Sequence, residues 1–231
     1  MADNAVDTIR HQSVFHPDKF GERRIDIVGV GATGSRIALS LAKLGVRNLH
    51  VWDDDIVESH NIANQAFFLE HIGSKKVTAV ADLVKRATGL EVTQHDEKVT
   101  PMTNLGSVVF LLTDTMSSRK EIWDGAIKFQ PAVDVMIETR MGVDQSLVFT
   151  ISSKTPEEGK YWEDQWYPDE AATEESPCGG RISVGPTAEL VSGYAVWSFI
   201  RWFEFYMNGG TKPHAYTLTT VRPVTADAYT F

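Results

Sequence analysis

The residues that most restrict this chain are the glycines of Gly29-Val-Gly-Ala-Thr-Gly34. Ahead of them, residues 24–30 have the apolar character of a strand. Behind them, Ile37, Ala38, Leu41 and Leu44 recur at helical spacing, with Gly45 as a C-cap, and residues 49–52 read as a second strand. A strand, a glycine turn, a helix and a strand form a βαβ unit, which commits the chain to a parallel sheet covered by helices. The spacing Gly29-x-Gly31-x-x-Gly34 lets a backbone approach phosphates, and the helix N-terminus adds partial positive charge. Asp53 lies 19 residues past Gly34, at the end of the second strand, where an acidic side chain accepts hydrogen bonds from ribose hydroxyls. NAD, ATP and an empty Rossmann-like turn all remain compatible with these features.

The rest of the pattern continues the alternation. Residues 75–87 read as a helix with Val77, Val80, Val84 and Ala87 on one face, and 91–99 as a strand. Residues 108–112 form a short, wholly apolar run, expected of a central parallel strand. A helix is expected over 117–128, strands over 132–137 and 145–151, a long helix over 187–207 and a final strand over 216–221. Between them, residues 155–177 carry eight acids against the single Lys160, interleaved with Tyr161, Trp162, Trp166 and Tyr167. This stretch is too long for an ordinary connection. It reads as a crossover loop, either a solvated surface segment or a docking or lid segment, and the four rings favour a packing role.

Composition narrows the function classes. The 231 residues, 42% of them hydrophobic, suffice for one substantial α/β domain. A net charge of -9 argues against non-specific nucleic-acid binding. Cys178 is the single cysteine, so one chain can build neither a disulfide framework nor an all-cysteine zinc site. Residues 1–24 show no apolar leader. No run reaches the roughly 18 apolar residues of a membrane span, and residues 190–207 are broken by Ser192, Gly193, Arg201 and Glu204. A cytoplasmic address is expected.

Residues 51–77 read VWDDDIVESHNIANQAFFLEHIGSKKV. This segment resembles the signature of the E1-like adenylyltransferases, the ThiF/MoeB/HesA superfamily. Their pattern is roughly D-x-D-x-[VI]-x-x-x-N-[LI]-x-R-Q followed by I-G-x-x-K. Asp53 and Asp55 match the two acids, Asn61 and Ile62 the N-[LI] pair, Gln65 the glutamine and Lys76 the lysine. Farther on, Asp114 matches the strand-end aspartate and Arg119 the arginine five residues later. Cys178, eight residues before Pro186, matches the C-terminal cysteine and the start of the last long helix.

The resemblance implies a Rossmann-like, mostly parallel α/β sheet with flanking helices and a C-terminal antiparallel extension. It implies one adenylation domain over 1–231, with an N-terminal arm at 1–23 and an acidic crossover loop at 152–180. The implied activity is ATP- and Mg²⁺-dependent: a carboxylate is joined to the α-phosphate and pyrophosphate leaves. In that scheme Gly29, Gly31 and Gly34 admit the nucleotide and Asp53 holds the ribose, while Asp55, Asn64 and Gln65 complete the site. Asn61 bonds a phosphate or the attacking carboxylate, Lys76 meets the phosphates and Asp114 holds Mg²⁺. Arg119 lies nearby, and Cys178 takes a thioester or persulfide link. The implied acceptor is the C-terminal glycine of a ubiquitin-like or sulfur-carrier protein, and the implied assembly a homodimer in which an N-terminal arginine near Arg10 reaches the neighbour's site. A peptide or tRNA-base acceptor, and a catalytically weak nucleotide-binding scaffold, are the alternatives. Two departures stand out. Asn64 occupies the place of the family arginine, so either Arg10, His11, Arg36 or a partner's arginine compensates, or adenylation is weak or absent. The family's zinc site of two C-x-x-C pairs cannot form around one cysteine.

Overall fold

The computed structural model describes residues 5–171 and 183–230. Eight strands form one sheet in the order β3-β2-β1-β4-β5-β6-β7-β8. Its parallel half comprises β1 (Ile25–Val28), β2 (Leu49–Trp52), β3 (Thr93–His95), β4 (Val108–Leu111) and β5 (Val135–Met141). The antiparallel extension comprises β6 (Gln145–Ser152), β7 (Tyr216–Val221) and β8 (Val224–Tyr229). From β1 the chain moves outward to β2 and β3, then returns to β4 on β1's other side. The carboxyl ends of β1 and β4 therefore flank the point where the winding reverses, which is where open α/β sheets leave a ligand crevice.

Both faces of the central strands are covered, so β1 and β4 are buried throughout. Ile25, Ile27, Val108 and Phe110 face a layer of α2 (Gly34–Lys43), α3 (Lys76–Thr88) and α6 (Gly185–Asn208). Val28, Val109 and Leu111 face the opposite layer, which holds Ile122 of α4 (Met116–Ile122) and Trp162 of α5 (Pro156–Asp164). The period of two is visible only as this division, since neither side meets water. No helix among the described residues is long and apolar enough to cross a membrane.

The N-terminal arm lies on its own chain rather than extending from it. Phe15, together with Phe20 of the short α1 (Pro17–Phe20), packs against Phe199 and Phe203 of α6, with ring centroids 5.2–5.5 Å apart. Other elements depart from the sequence reading for identifiable reasons. β3 keeps only three residues of 91–99, because it pairs with β2 alone and continues into solvated Asp96, Glu97 and Lys98. β5 runs on past Ile137 because Glu138 and Arg140, which interrupt the apolar pattern, are buried as an ion pair. The helix expected over 117–128 stops at Ile122 and widens into a π turn at Trp123–Ile127. β8 was not expected, since its residues are exposed and show no burial pattern.

The acidic stretch is not loop throughout. Residues 156–164 form α5, whose Trp162 is fully buried and donates to Glu138 Oε2 at 2.6 Å. Beyond it, Trp166 Nε1 donates to Met116 O at 2.9 Å, and Asp169 accepts from Met116 N at 2.5 Å and Ser117 Oγ at 2.6 Å. The aromatics and one of the acids thus hold the start of α4.

One acid-sensitive feature arises where β2 meets β3. His50 Nδ1 lies 2.9 Å from His95 Nε2, and Trp52 stacks on His95 at 3.5 Å. Burial and then the Arg24 charge push His50 down to about 4, against a smaller upward pull from Asp26, with His95 repelling it further. Burial also lowers His95. A depressed histidine favours the fold while neutral, so this contribution is complete above its ordinary value of about 6.5 and fades as pH falls towards 4. Denaturant midpoints are expected to fall between pH 7 and pH 4.5, and His50→Gln should flatten that slope. An unchanged slope in the variant would remove His50 from the account.

Candidate active site

The glycine turn joins β1 to α2, and its three glycines have different reasons. Gly29 has φ +91°, and a Cβ there would lie 2.8 Å from Leu112 O. A Cβ on Gly34 would lie 2.0 Å from Gly29 O. These two are required by the fold itself. At Gly31 a Cβ would meet nothing nearer than Gln65 Nε2 at 3.9 Å, so the fold leaves that side of the turn open. No side chain caps the N-terminus of α2.

Asp53, at the end of β2, ties the neighbouring strand ends together. Its Oδ2 accepts from Val30 N at 2.9 Å and its Oδ1 from Asp55 N at 3.0 Å. Burial pushes the Asp53 carboxyl up, opposed by the Lys76 charge and by these two backbone amides. Lys76 itself is buried at the first position of α3, where the helix dipole disfavours a cation. Two carboxylates hold it there: Nζ lies 2.7 Å from Asp55 Oδ2 and 3.9 Å from Asp53 Oδ1.

The segment after β2 folds over this cluster as a short 3₁₀ turn, Ser59–Ala63. Asn61 is buried there, and its Oδ1 accepts from Glu58 N at 2.9 Å. That oxygen is committed to the cap, which leaves Nδ2 for other work. Among the described residues, the buried Asn64 Oδ1 and Gln65 Oε1 have no hydrogen-bond partner, although buried acceptors normally have one. Gln65 borders the turn through its Nε2, 3.9 Å from a Cβ built on Gly31, and the backbone carbonyl of Asn64 meets Arg36.

Asp114 follows β4 and is exposed. Its chain neighbour Thr113 approaches the turn, with its backbone nitrogen 3.1 Å from a Cβ built on Gly29. The expected glycines, Asp53, Asp55, Asn61, Asn64, Gln65, Lys76 and Asp114 thus gather around the carboxyl ends of β2, β1 and β4. Cys178 lies outside the described residues. Arg119 lies beside this cluster, its guanidinium buried and donating to Glu138 Oε1 and Thr113 O at 2.5 Å and to Thr139 O at 2.8 Å. The buried Glu138 demands that counter-charge. His11 lies elsewhere, with Nε2 3.2 Å from Leu44 O, just past the C-terminal end of α2. Ten helical residues, about 15 Å, separate it from the glycine turn. Arg10 borders the same distant groove, beside Lys43 and Trp197.

Sequence reasoning gave no sign of the Asp169 contact with α4. The signal lies in tertiary structure, because the contact joins residues more than 50 positions apart.

A doubly wound sheet with a glycine turn at its reversal point and an acid at the end of β2 defines a Rossmann-like α/β protein. The chain belongs to the ThiF family, which it matches across residues 10–227. It is 32% identical over 105 residues to the NEDD8-activating enzyme E1 catalytic subunit of Arabidopsis thaliana, covering 43% of this chain and 23% of that one. It is 32% identical over 113 residues to the adenylyltransferase and sulfurtransferase MOCS3-2 of Zea mays, covering 46% and 23%. The crystal structure of E. coli MccB with ATP shares the fold, with a TM-score of 0.67 at 12% identity, covering 92% of this chain and 64% of that one. These matches span about a quarter of each of the two curated relatives and just under two thirds of the MccB chain.

Proposed function

We propose that this chain binds ATP over the glycine turn and joins its α-phosphate to an acceptor carboxylate, releasing pyrophosphate. The observation that carries the reading is the convergence of an open glycine turn and a cluster of Asp53, Asp55 and the buried Lys76 at the carboxyl ends of β1 and β2. In the reaction an acceptor oxygen bonds to the α-phosphorus while the bond to the bridging oxygen of the β-phosphate breaks. Pyrophosphate leaves with that electron pair. No proton has to move, because the acceptor is already ionised at neutral pH.

The protein then contributes positioning and charge. Each Asp53 oxygen keeps a lone pair beyond its backbone contact, so ribose hydroxyls can donate to it. Lys76 exchanges an Asp55 oxygen for a phosphate oxygen, and Asn61 offers Nδ2. The Asn64 and Gln65 oxygens accept from donors on the nucleotide. Asp114, an exposed carboxylate, suits a hard cation that retains most of its water. Mg²⁺ held there would neutralise charge on the phosphates.

The acceptor in this reading is the C-terminal glycine of a ubiquitin-like or sulfur-carrier protein, in keeping with the names of the two curated relatives. Cys178 would take the activated tail in a later step. A homodimer belongs to the same proposal: the groove beside Arg10 and His11 exposes Val14 and Trp197, so these cations could serve a neighbouring copy. Asn64, uncharged in the place of the family arginine, favours a second reading, a nucleotide-binding scaffold without turnover. ATP–pyrophosphate exchange with candidate carrier proteins separates the two. Carrier-dependent exchange is expected, with Mg-ATP binding tighter than NADH in calorimetry. ATP binding without exchange would leave the scaffold, and tighter NADH binding would sink both.

A further inference from the structure

We infer that Arg36 is a second cation, besides Lys76, that grips the phosphate chain in this crevice, and that Glu189 competes for it when no nucleotide is bound. The inference rests on the nucleotide reading above. Arg36 stands in the first turn of α2, directly after the glycine turn. Its Nη1 donates to Ala32 O at 2.8 Å and to Asn64 O at 2.6 Å. Ala32 belongs to the turn itself, so the guanidinium lies along the lip that Gly31 leaves open.

The charge at this lip is poorly answered. The Arg36 side chain is only 16% exposed, yet its two hydrogen bonds go to neutral carbonyls. Its ionic contact is Glu189 Oε1 at 3.6 Å, on a side chain 70% exposed and therefore held largely by water. A desolvated guanidinium gains most from a close, bidentate anion. Asn64 and Gln65, whose side-chain oxygens have no partner among the described residues, adjoin the same lip through Asn64 O and Gln65 Nε2. A group carrying both negative charge and hydrogen-bond donors would satisfy all three, which describes a phosphorylated nucleoside.

Lys76, between Asp53 and Asp55, would meet the phosphates as a point charge rather than as a fork. Arg119 is spent on Glu138, and His11 lies at the far end of α2. Arg36 is one fork from which two parallel hydrogen bonds to phosphate can be made. Glu189 sits in the first turns of α6, whose start at Gly185 closely approaches Ala63 O. Arg36 therefore links that helix to the turn, and a nucleotide would draw it away from Glu189.

The bland reading is that Arg36 only staples residue 64 to α2. Calorimetry with Mg-ATP and with adenosine separates the two, because adenosine lacks the phosphates. Arg36→Gln is expected to weaken Mg-ATP roughly 10- to 100-fold and to leave adenosine within about twofold of the wild type. Glu189→Gln, an exposed change, is expected to tighten Mg-ATP about two- to fivefold without affecting adenosine. Equal weakening of both ligands by Arg36→Gln would show a staple and overturn the inference, as would unchanged Mg-ATP affinity in that variant. If Arg36→Gln does not fold, Glu189→Gln decides, and unchanged Mg-ATP affinity there overturns the inference. A wild-type chain that binds adenosine but shows no gain from the phosphates overturns the inference alone. One that binds neither overturns the nucleotide reading with it.

Discussion

Lys76→Met is expected to lower ATP–pyrophosphate exchange by roughly 10²–10³-fold, the usual effect of removing one charge-stabilising group from a preorganised site. The cation is already fixed before any ligand arrives, with Nζ 2.7 Å from Asp55 Oδ2. Burial at the first position of α3 costs it both hydration and dipole energy. Two neighbouring acids offset that cost in the free protein, and phosphate oxygens would replace one of them in the complex. The variant should also change the acid side of nucleotide binding. Burial raises the Asp53 carboxyl, and the Lys76 charge is the largest influence opposing it. Without Lys76 the carboxyl rises further, so ribose-accepting Asp53 protonates at a higher pH. ATP titrations between pH 5 and 8 should therefore show affinity falling on acidification, with the fall beginning at higher pH in Lys76→Met than in the wild type. Exchange within threefold of the wild type would remove Lys76 from the phosphates. An unshifted acid limb would uncouple it from Asp53.

The parts of this site that lie close in sequence were legible without a structure. Gly29, Gly31, Gly34 and Asp53 belong to one βαβ unit, whose geometry is nearly fixed by its hydrogen bonding. Asp55, Asn61, Gln65 and Lys76 follow within one continuous motif, and the segment folds back through an isolated bridge between Ile56 and Lys75. β4 was legible because burial on both faces leaves it wholly apolar. Elements whose stability comes from partners distant in sequence were not. β8 has no apolar face to announce it, and α5 hides its buried Trp162 among acids. Arg119 shows the limit most plainly. The resemblance placed it near the crevice, but its buried bond to Glu138 on β5 could not be read from the sequence.

That carboxylate leads to the largest stability effect expected here. Glu138 is fully buried on β5, with Arg119 Nη1 at 2.5 Å and Arg140 Nε at 2.9 Å, and it accepts from Trp162 Nε1 at 2.6 Å. Burial alone would push its carboxyl up, but the two guanidiniums outweigh burial and hold it below the usual range. Glu138→Gln keeps the shape and removes the charge, which strands two buried cations. Breaking such a pair costs about 3–5 kcal/mol, and for a chain of this size that lowers Tm by roughly 6–20 °C. The loss should not stay in the core. Arg119 also holds Thr113 O, one residue before Asp114, while Arg140 donates to Gln165 O beside the segment that caps α4. Exchange activity measured below the new Tm should therefore also fall. The sign with pH follows from the depressed carboxyl: its contribution is present above the ordinary glutamate range and is lost as pH falls through the lower folded value. Glu138→Gln should thus cost most at pH 7 and least in strong acid. Adding Arg140→Met to Glu138→Gln should recover part of the loss, because one stranded cation goes with it. A cost under about 1 kcal/mol at pH 7, or no recovery in the double variant, would mean that water reaches these groups and that the network does not hold the loop carrying Asp114.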